Sequence, residues 1–267
     1  MIYRVDELSE NNINPITGDT YDESWVILML TDSSEYEKMT GNRNGCAYTI
    51  KVSRNKCNDW EMAIGDFIGF CESNGKNAIL VMTNTELTTA LKVYKGHTYN
   101  ETLLRDNEPT VFVHSTPMNN WEMIKQDGML KSWSRLKKEK IVDEEQPIGS
   151  RLGDPIDFSD YIMFGGGVTG EIVVNSKQLG TIEMDINANY LTGARLYFDG
   201  VKMAQDGLII RDGCHLKVKD TLPLNPYLIC ALTWEDVGLE SQVSTPKIFA
   251  EKCDSRFASI HQLLNIH

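Results

Sequence analysis

Two rhythms of apolar and polar positions run along this chain. Residues 25–30 (WVILML) form an unbroken apolar run between Asp22-Glu23 and Thr31-Asp32-Ser33-Ser34. That is the pattern of a buried strand closed by a turn or a helix cap. Residues 77–83 (NAILVMT) repeat it. Between the two, Trp60, Met62, Ala63 and Ile64, then Phe67, Ile68 and Phe70, fall at helical spacing, which predicts a helix leading into the second strand. Strand, helix and strand in this order predict a small α/β unit.

The second half of the chain changes character. Val111, Phe112 and Val113 make a strand that ends in three hydrogen-bonding side chains, His114, Ser115 and Thr116. Trp121, Ile124 and Lys125 share one helical face after it, and Gly128 supplies a stop. In open α/β architectures ligands gather at strand ends like this polar tip, because side chains and backbone N–H groups project there into a crevice. A strand at residues 161–164 runs into Gly165-Gly166-Gly167, and further strands are predicted at 181–186, 207–211 and 227–230. Such a series predicts an α+β fold with a largely β core. The three glycines lack the spacing of a dinucleotide fingerprint or a Walker loop.

Polar stretches punctuate the pattern. Residues 96–109 carry no core element and predict a domain boundary, giving an α/β domain at 1–107, a second domain at 108–232 and an extension at 233–267. Residues 137–160 are too long and polar for a routine connection, which suggests a functional loop. Charge narrows the function classes. The 267 residues hold 26 basic side chains against 38 acidic ones, a net charge of −12, and this argues against a non-specific coat on duplex nucleic acid. No run approaches the length of a bilayer span and no leader follows Met1, so a cytoplasmic protein with no membrane partner is expected. Six cysteines without a CxxC pair predict free thiols and no metal site.

In order along the chain, several short motifs resemble the RNA 2′-phosphotransferase family within the ADP-ribosyltransferase fold. His114-Ser115-Thr116 with Trp121, Ile124 and Gly128 is similar to that family's H-G-T…W..I...G opening. Gly167-Val168-Thr169-Gly170 resembles its G-V-x-G segment, residues 182–186 its strand ending in an acidic residue, residues 206–210 its N-G-V-x-L strand, and residues 222–228 its closing V-P-P-x-Y motif. The resemblance covers residues 112–230. It implies a split-sheet cleft that binds NAD as substrate and transfers a group at the nicotinamide ribose, to an acceptor that is RNA, protein or a smaller molecule. It also implies that His114 holds a ribose hydroxyl and that the backbone of Ser115 meets the nicotinamide carboxamide.

The departures shape the expectation. Where the family carries Arg-Asn-His-x-His, this chain has Ser159-Asp160-Tyr161-Ile162-Met163. The arginine that would clamp a phosphate is absent, and Arg135, Arg151 and Arg195 are the candidates to replace it. A His followed by a Tyr resembles instead the diphtheria-toxin and poly-ADP-ribose polymerase branch, in which the Tyr ring stacks on nicotinamide. That branch often adds a Glu on a later strand, and Leu208 stands at the matching position. Transfer of ADP-ribose is therefore the first expectation, with removal of an RNA 2′-phosphate and a catalytically silent recognition module as alternatives. The expected catalytic residues are His114 and Tyr161, and the expected NAD-binding residues are His114, Ser115, Thr116, Tyr161, Gly165 and Arg151. Arg135, Lys137 and Lys138 are the expected substrate-binding residues, although the acidic Asp143-Glu144-Glu145 nearby also fits a solvated helix face. Glu183 and Asp185 would share one face of a strand. Cys214 and His215 are set aside as a nucleophile pair, since neighbours on a strand point to opposite faces.

Overall fold

A computed structural model describes residues 1–8, 12–43, 47–152 and 154–264. It shows a mixed α/β protein, with seven α-helices and several sheets among the described residues. The chain forms two compact units. The first comprises Met1–Glu101, Gly149–Phe158 and Ile209–Lys217, and the second comprises Thr102–Ile148, Ser159–Leu208 and Val218–His267. The division anticipated at 107/108 and 232/233 is linear, whereas this one takes two later segments back into the first unit.

A five-stranded sheet organises the first unit, in the order Ile2–Val5, Asn77–Val81, Trp25–Thr31, Ala47–Ser53, Lys38–Arg43. The first four strands are parallel, and Lys38–Arg43 closes the edge antiparallel. Trp25 and Ile27 pack with Ile79 and Val81 on one face. Val26 lies on the other, near Ile50, Phe67 and Phe70. Burial on both faces accounts for the continuous apolar run, since a strand covered on one side only would alternate. The helix Trp60–Ser73 buries Ala63, Ile64, Phe67, Phe70 and Cys71. A void of about 10 Å³ remains among Val26, Ile50, Phe70 and Phe158. That is room for roughly one water, too little for a ligand.

The second unit is built on an antiparallel three-stranded sheet ordered Leu228–Leu232, Ala194–Asp199, Val111–Thr116. The helices Thr169–Leu179 and Pro246–Leu264 cover one face, where Val174, Phe249 and Cys253 pack with Tyr197 and Leu232. The Phe257 ring stacks on Tyr197 at 4.2 Å with an interplanar angle of 3°. Residues 233–267, expected as an extension, therefore supply part of this core. The strand expected at 181–186 is absent. There the Glu183 N–H donates to Ser176 Oγ at 3.0 Å, and Glu183 and Asp185 accept the backbone N–H groups of Asp185 and Asn187. Side-chain acceptors have replaced a strand ladder, and the two carboxylates cap their own loop. The long polar segment holds short 3₁₀ turns at Ile148–Leu152 and Ile156–Asp160. No helix among the described residues is long and apolar enough to cross a membrane.

One glycine of the first unit is dictated by backbone approach. Gly213 has φ +93°, and a Cβ there would lie 2.6 Å from the Ala63 carbonyl oxygen. Gly213→Ala is expected to destabilise the protein by about 2 kcal/mol, read as a lowered urea midpoint. An unchanged midpoint would show that the turn can leave the helix at no cost.

Candidate functional site

The strand Val111–Thr116 has two unlike faces, and their alternation builds the site. Its register against Ala194–Asp199 sets Ser115 opposite Arg195, His114 opposite Leu196, Val113 opposite Tyr197 and Phe112 opposite Phe198. Val111, Val113 and Ser115 face the covering helices, while Phe112 and His114 face the other way.

On the helix side, charge is buried. Glu171 is fully buried and accepts from Ser115 Oγ at 2.5 Å, from Tyr190 OH at 2.6 Å and from Arg195 Nη1 at 3.2 Å. Arg195, also 0% exposed, donates from Nε and Nη2 to the two Asp254 oxygens at 3.1 and 3.2 Å. Tyr197 OH donates to Asp254 Oδ1 at 2.7 Å. Every charge in this cluster has a partner, which is the condition for burying it. The helix comes close enough because residue 170 has no side chain: a Cβ on Gly170 would stand 2.6 Å from Ser115 Oγ.

On the opposite side, His114 stands among rings. Phe164 lies edge-on to it at 6.3 Å, and Phe164 also meets Phe112 and Phe198 at 5.3 and 6.0 Å. The His114 Nδ1 is 3.0 Å from the Met163 carbonyl oxygen. A carbonyl only accepts, so Nδ1 carries the proton and Nε2 keeps its lone pair. Burial lowers the His114 pKa to about 4, and the Lys177 ammonium adds to the effect. At neutral pH the ring is therefore an uncharged acceptor, suited to accepting a hydrogen bond from a hydroxyl and unsuited to pairing with an anion.

The strand Tyr161–Met163 runs beside His114. Gly165 N–H donates to the Val113 carbonyl at 3.0 Å just beyond it, and Tyr161 lies on the same side of that strand as Met163. Tyr161 is 6% exposed, so most of its ring is engaged in packing. Gly166 and Gly167 are exposed and lead into the helix Thr169–Leu179. Ser115 and Thr116 are buried, and the Ser115 hydroxyl is committed to Glu171.

The basic candidates are distributed differently. Arg135 pairs with Glu139 at 2.5 Å and with Asp220 at 3.4 Å. Lys137 donates to the Asp143 and Glu144 carbonyls and lies 5.8 Å over the Trp133 ring. Lys138 is exposed. The side chain of Arg151 lies outside the described residues. Arg195, considered as a substitute phosphate clamp, spends its guanidinium inside the core on Glu171 and Asp254. Glu171, Tyr190 and Asp254 were not among the sequence candidates, because nothing in their spacing separates a buried acid from a solvated one. Compared with family models, curated proteins and solved structures, the chain matches none.

Removing one partner of the buried pair should be costly. Glu171→Gln leaves Arg195 short of a charge and is expected to destabilise the protein by about 3–5 kcal/mol. Ser115→Ala, which removes one hydrogen bond, should cost about 1 kcal/mol. Urea denaturation of both variants tests the ranking, and equal losses would overturn it.

Proposed function

We propose that the second unit is an NAD-dependent transferase of the ADP-ribosyltransferase type, with an α+β split-sheet fold, that passes ADP-ribose to an acceptor. The observation that carries this reading is the neutral His114 imidazole on the strand Val111–Thr116, its Nδ1 anchored on Met163 and its Nε2 lone pair left as an acceptor. A ribose hydroxyl is the natural donor to that lone pair, and the contact would orient the sugar without any change in the charge of the histidine. NAD would supply a ribose carbon whose bond to nicotinamide breaks, with the bonding pair leaving on nicotinamide. The acceptor's nucleophile forms the new bond at that carbon and gives up its proton to solvent. The resemblance gives Tyr161, on the nearby strand Tyr161–Met163, the role of stacking against nicotinamide, for which its buried ring would have to be uncovered, and Gly165 with the exposed Gly166 and Gly167 lets a ligand approach the backbone.

Arg195 and Arg135 weigh against removal of an RNA 2′-phosphate. That reaction calls for a guanidinium free to clamp the phosphate, and Arg195 is spent on internal carboxylates while Arg135 is paired at the surface. A second reading, a silent recognition module of the same fold, is favoured by Leu208. It follows the helix Gly200–Gln205 in a turn, its N–H on the Met203 carbonyl, and brings no carboxylate.

The protein with labelled NAD and a panel of protein, DNA, RNA and 2′-phosphorylated RNA acceptors should show label transfer. His114→Ala should reduce the transfer at least about a hundredfold. Because His114 is needed neutral and titrates near 4, activity should hold through pH 6.5 and fall only as pH drops towards 4. Transfer unaffected by His114→Ala, or no NAD binding by calorimetry at millimolar concentrations, would overturn the reading.

A further inference from the structure

The pairing of Val111–Thr116 with Ala194–Asp199 fixes where the backbone of the first strand points. At one end of this ladder Gly200 N–H donates to the Thr110 carbonyl at 2.9 Å. In an antiparallel ladder, residues that exchange bonds with the partner strand alternate with residues whose N–H and C=O point away from it. Phe112, His114 and Thr116 therefore bond towards Ala194–Asp199, while Val111, Val113 and Ser115 point outward. The bond from Gly165 N–H to the Val113 carbonyl at 3.0 Å agrees with this phase.

No further strand follows, since Val111–Thr116 is the edge of its sheet. Two residues beyond Val113, the outward N–H and C=O of Ser115 have no hydrogen-bond partner among the described residues. Ser115 is only 6% exposed, and the backbone groups of so buried a residue are as a rule paired. A Cβ on Gly170 would pack 3.5 Å from the Ser115 nitrogen, so its absence leaves room beside that N–H. One donor and one acceptor thus stand side by side on the strand edge. A primary carboxamide carries the complementary acceptor and donor, whereas a carboxylate is acceptor-only and sets an anion against the carbonyl.

The side chain of the same residue is held from the helix side. Ser115 Oγ donates at 2.5 Å to the fully buried Glu171, which also accepts from Tyr190 OH and Arg195 Nη1. A fixed Oγ limits rotation of residue 115 on a strand that is paired along one side only. In the H-G-T motif that this segment resembles, the corresponding residue is glycine and offers no such handle.

We propose that Glu171 is a positioning residue: through Ser115 Oγ it fixes the outward N–H and C=O of Ser115 and so sets a preference for a ligand that ends in a primary carboxamide. This rests on the reading of the second unit as an NAD-dependent transferase, in which the nicotinamide carboxamide is that group. Glu171 itself lies on the helix side of the sheet and touches no ligand.

The test is calorimetric binding, to the full chain, of NAD and of its nicotinic acid analogue, which differ only in carboxamide against carboxylate. The native protein should bind NAD at least about tenfold more tightly than the analogue. Ser115→Ala and, independently, Ser115→Gly release the residue from Glu171 and should cut that preference about tenfold, chiefly through weaker binding of NAD. Tyr197→Phe removes a hydroxyl from the far end of the same network, where it meets Asp254, and should keep the native preference. A native preference in the folded Ser115 variants overturns the proposal, as does a matching loss in Tyr197→Phe, which would mark the effect as general loosening. A native protein that binds both dinucleotides equally also overturns it, and all three results leave the transferase reading standing. A native protein that binds neither overturns both.

Discussion

The buried pair of Glu171 and Arg195 is the constraint on which the second unit depends. Taking two charges out of water costs several kcal/mol per ion, and only close geometry with every remaining lone pair and proton engaged offsets that cost. Glu171 meets the condition with three donors, and Arg195 with Glu171, Asp254 and the Tyr197 hydroxyl. The donors and acceptors come from two helices, the two neighbouring strands and Tyr190 on the short strand Tyr190–Leu191, so none of these elements can slide without leaving a buried charge short. Gly170 and Ser115 follow from this, since the helix must approach the strand closely for Glu171 to reach the hydroxyl. The orientation of His114 follows too. With Ser115 committed inward, strand alternation turns His114 to the opposite face.

How much of this was legible depends on whether a segment obeyed the rule that apolar residues are inside. Trp25–Thr31 and Asn77–Val81 obey it on both faces, and their strands were readable within a residue or two. The strand at 111–113 was readable for the same reason, but His114, Ser115 and Thr116, expected as its polar tip, continue the paired strand, with Ser115 and Thr116 buried. Ile2–Val5 and the edge strand Lys38–Arg43 are partly polar, and their pairing comes from the neighbouring strand, so pattern alone passes over them. Residues 181–186 alternate like a strand yet form a loop, because Ser176, Glu183 and Asp185 capture the backbone first.

Burial of charge escaped the sequence altogether. Glu171, Arg195, Arg211, Asp212 and Lys217 are all at most 2% exposed, where composition alone would place each of them in solvent. The same blindness affected the domain division. Nothing in the sequence announces that Asp212 and Lys217 pack on Phe70 and Phe158 and so tie two late segments to the first unit. An acid and a base five residues apart read as surface charges until the rings around them are known.

The two imidazoles show what such burial decides. His114 has a carbonyl and aromatic rings for neighbours and no carboxylate, so burial, with the Lys177 ammonium in the same sense, keeps the ring neutral. Its stabilising contribution is present above pH 6.5 and is lost as pH falls through about 4. His215 is also removed from water but rests on Asp212, so it is held as a cation. Its contribution is complete below pH 6.5 and is lost as pH rises through about 10. One residue type thus supplies an acceptor in one unit and a positive charge in the other, and at neutral pH neither titrates. The difference comes chiefly from one carboxylate, which holds the second ring as a cation, while the first has none against it and stays a neutral acceptor.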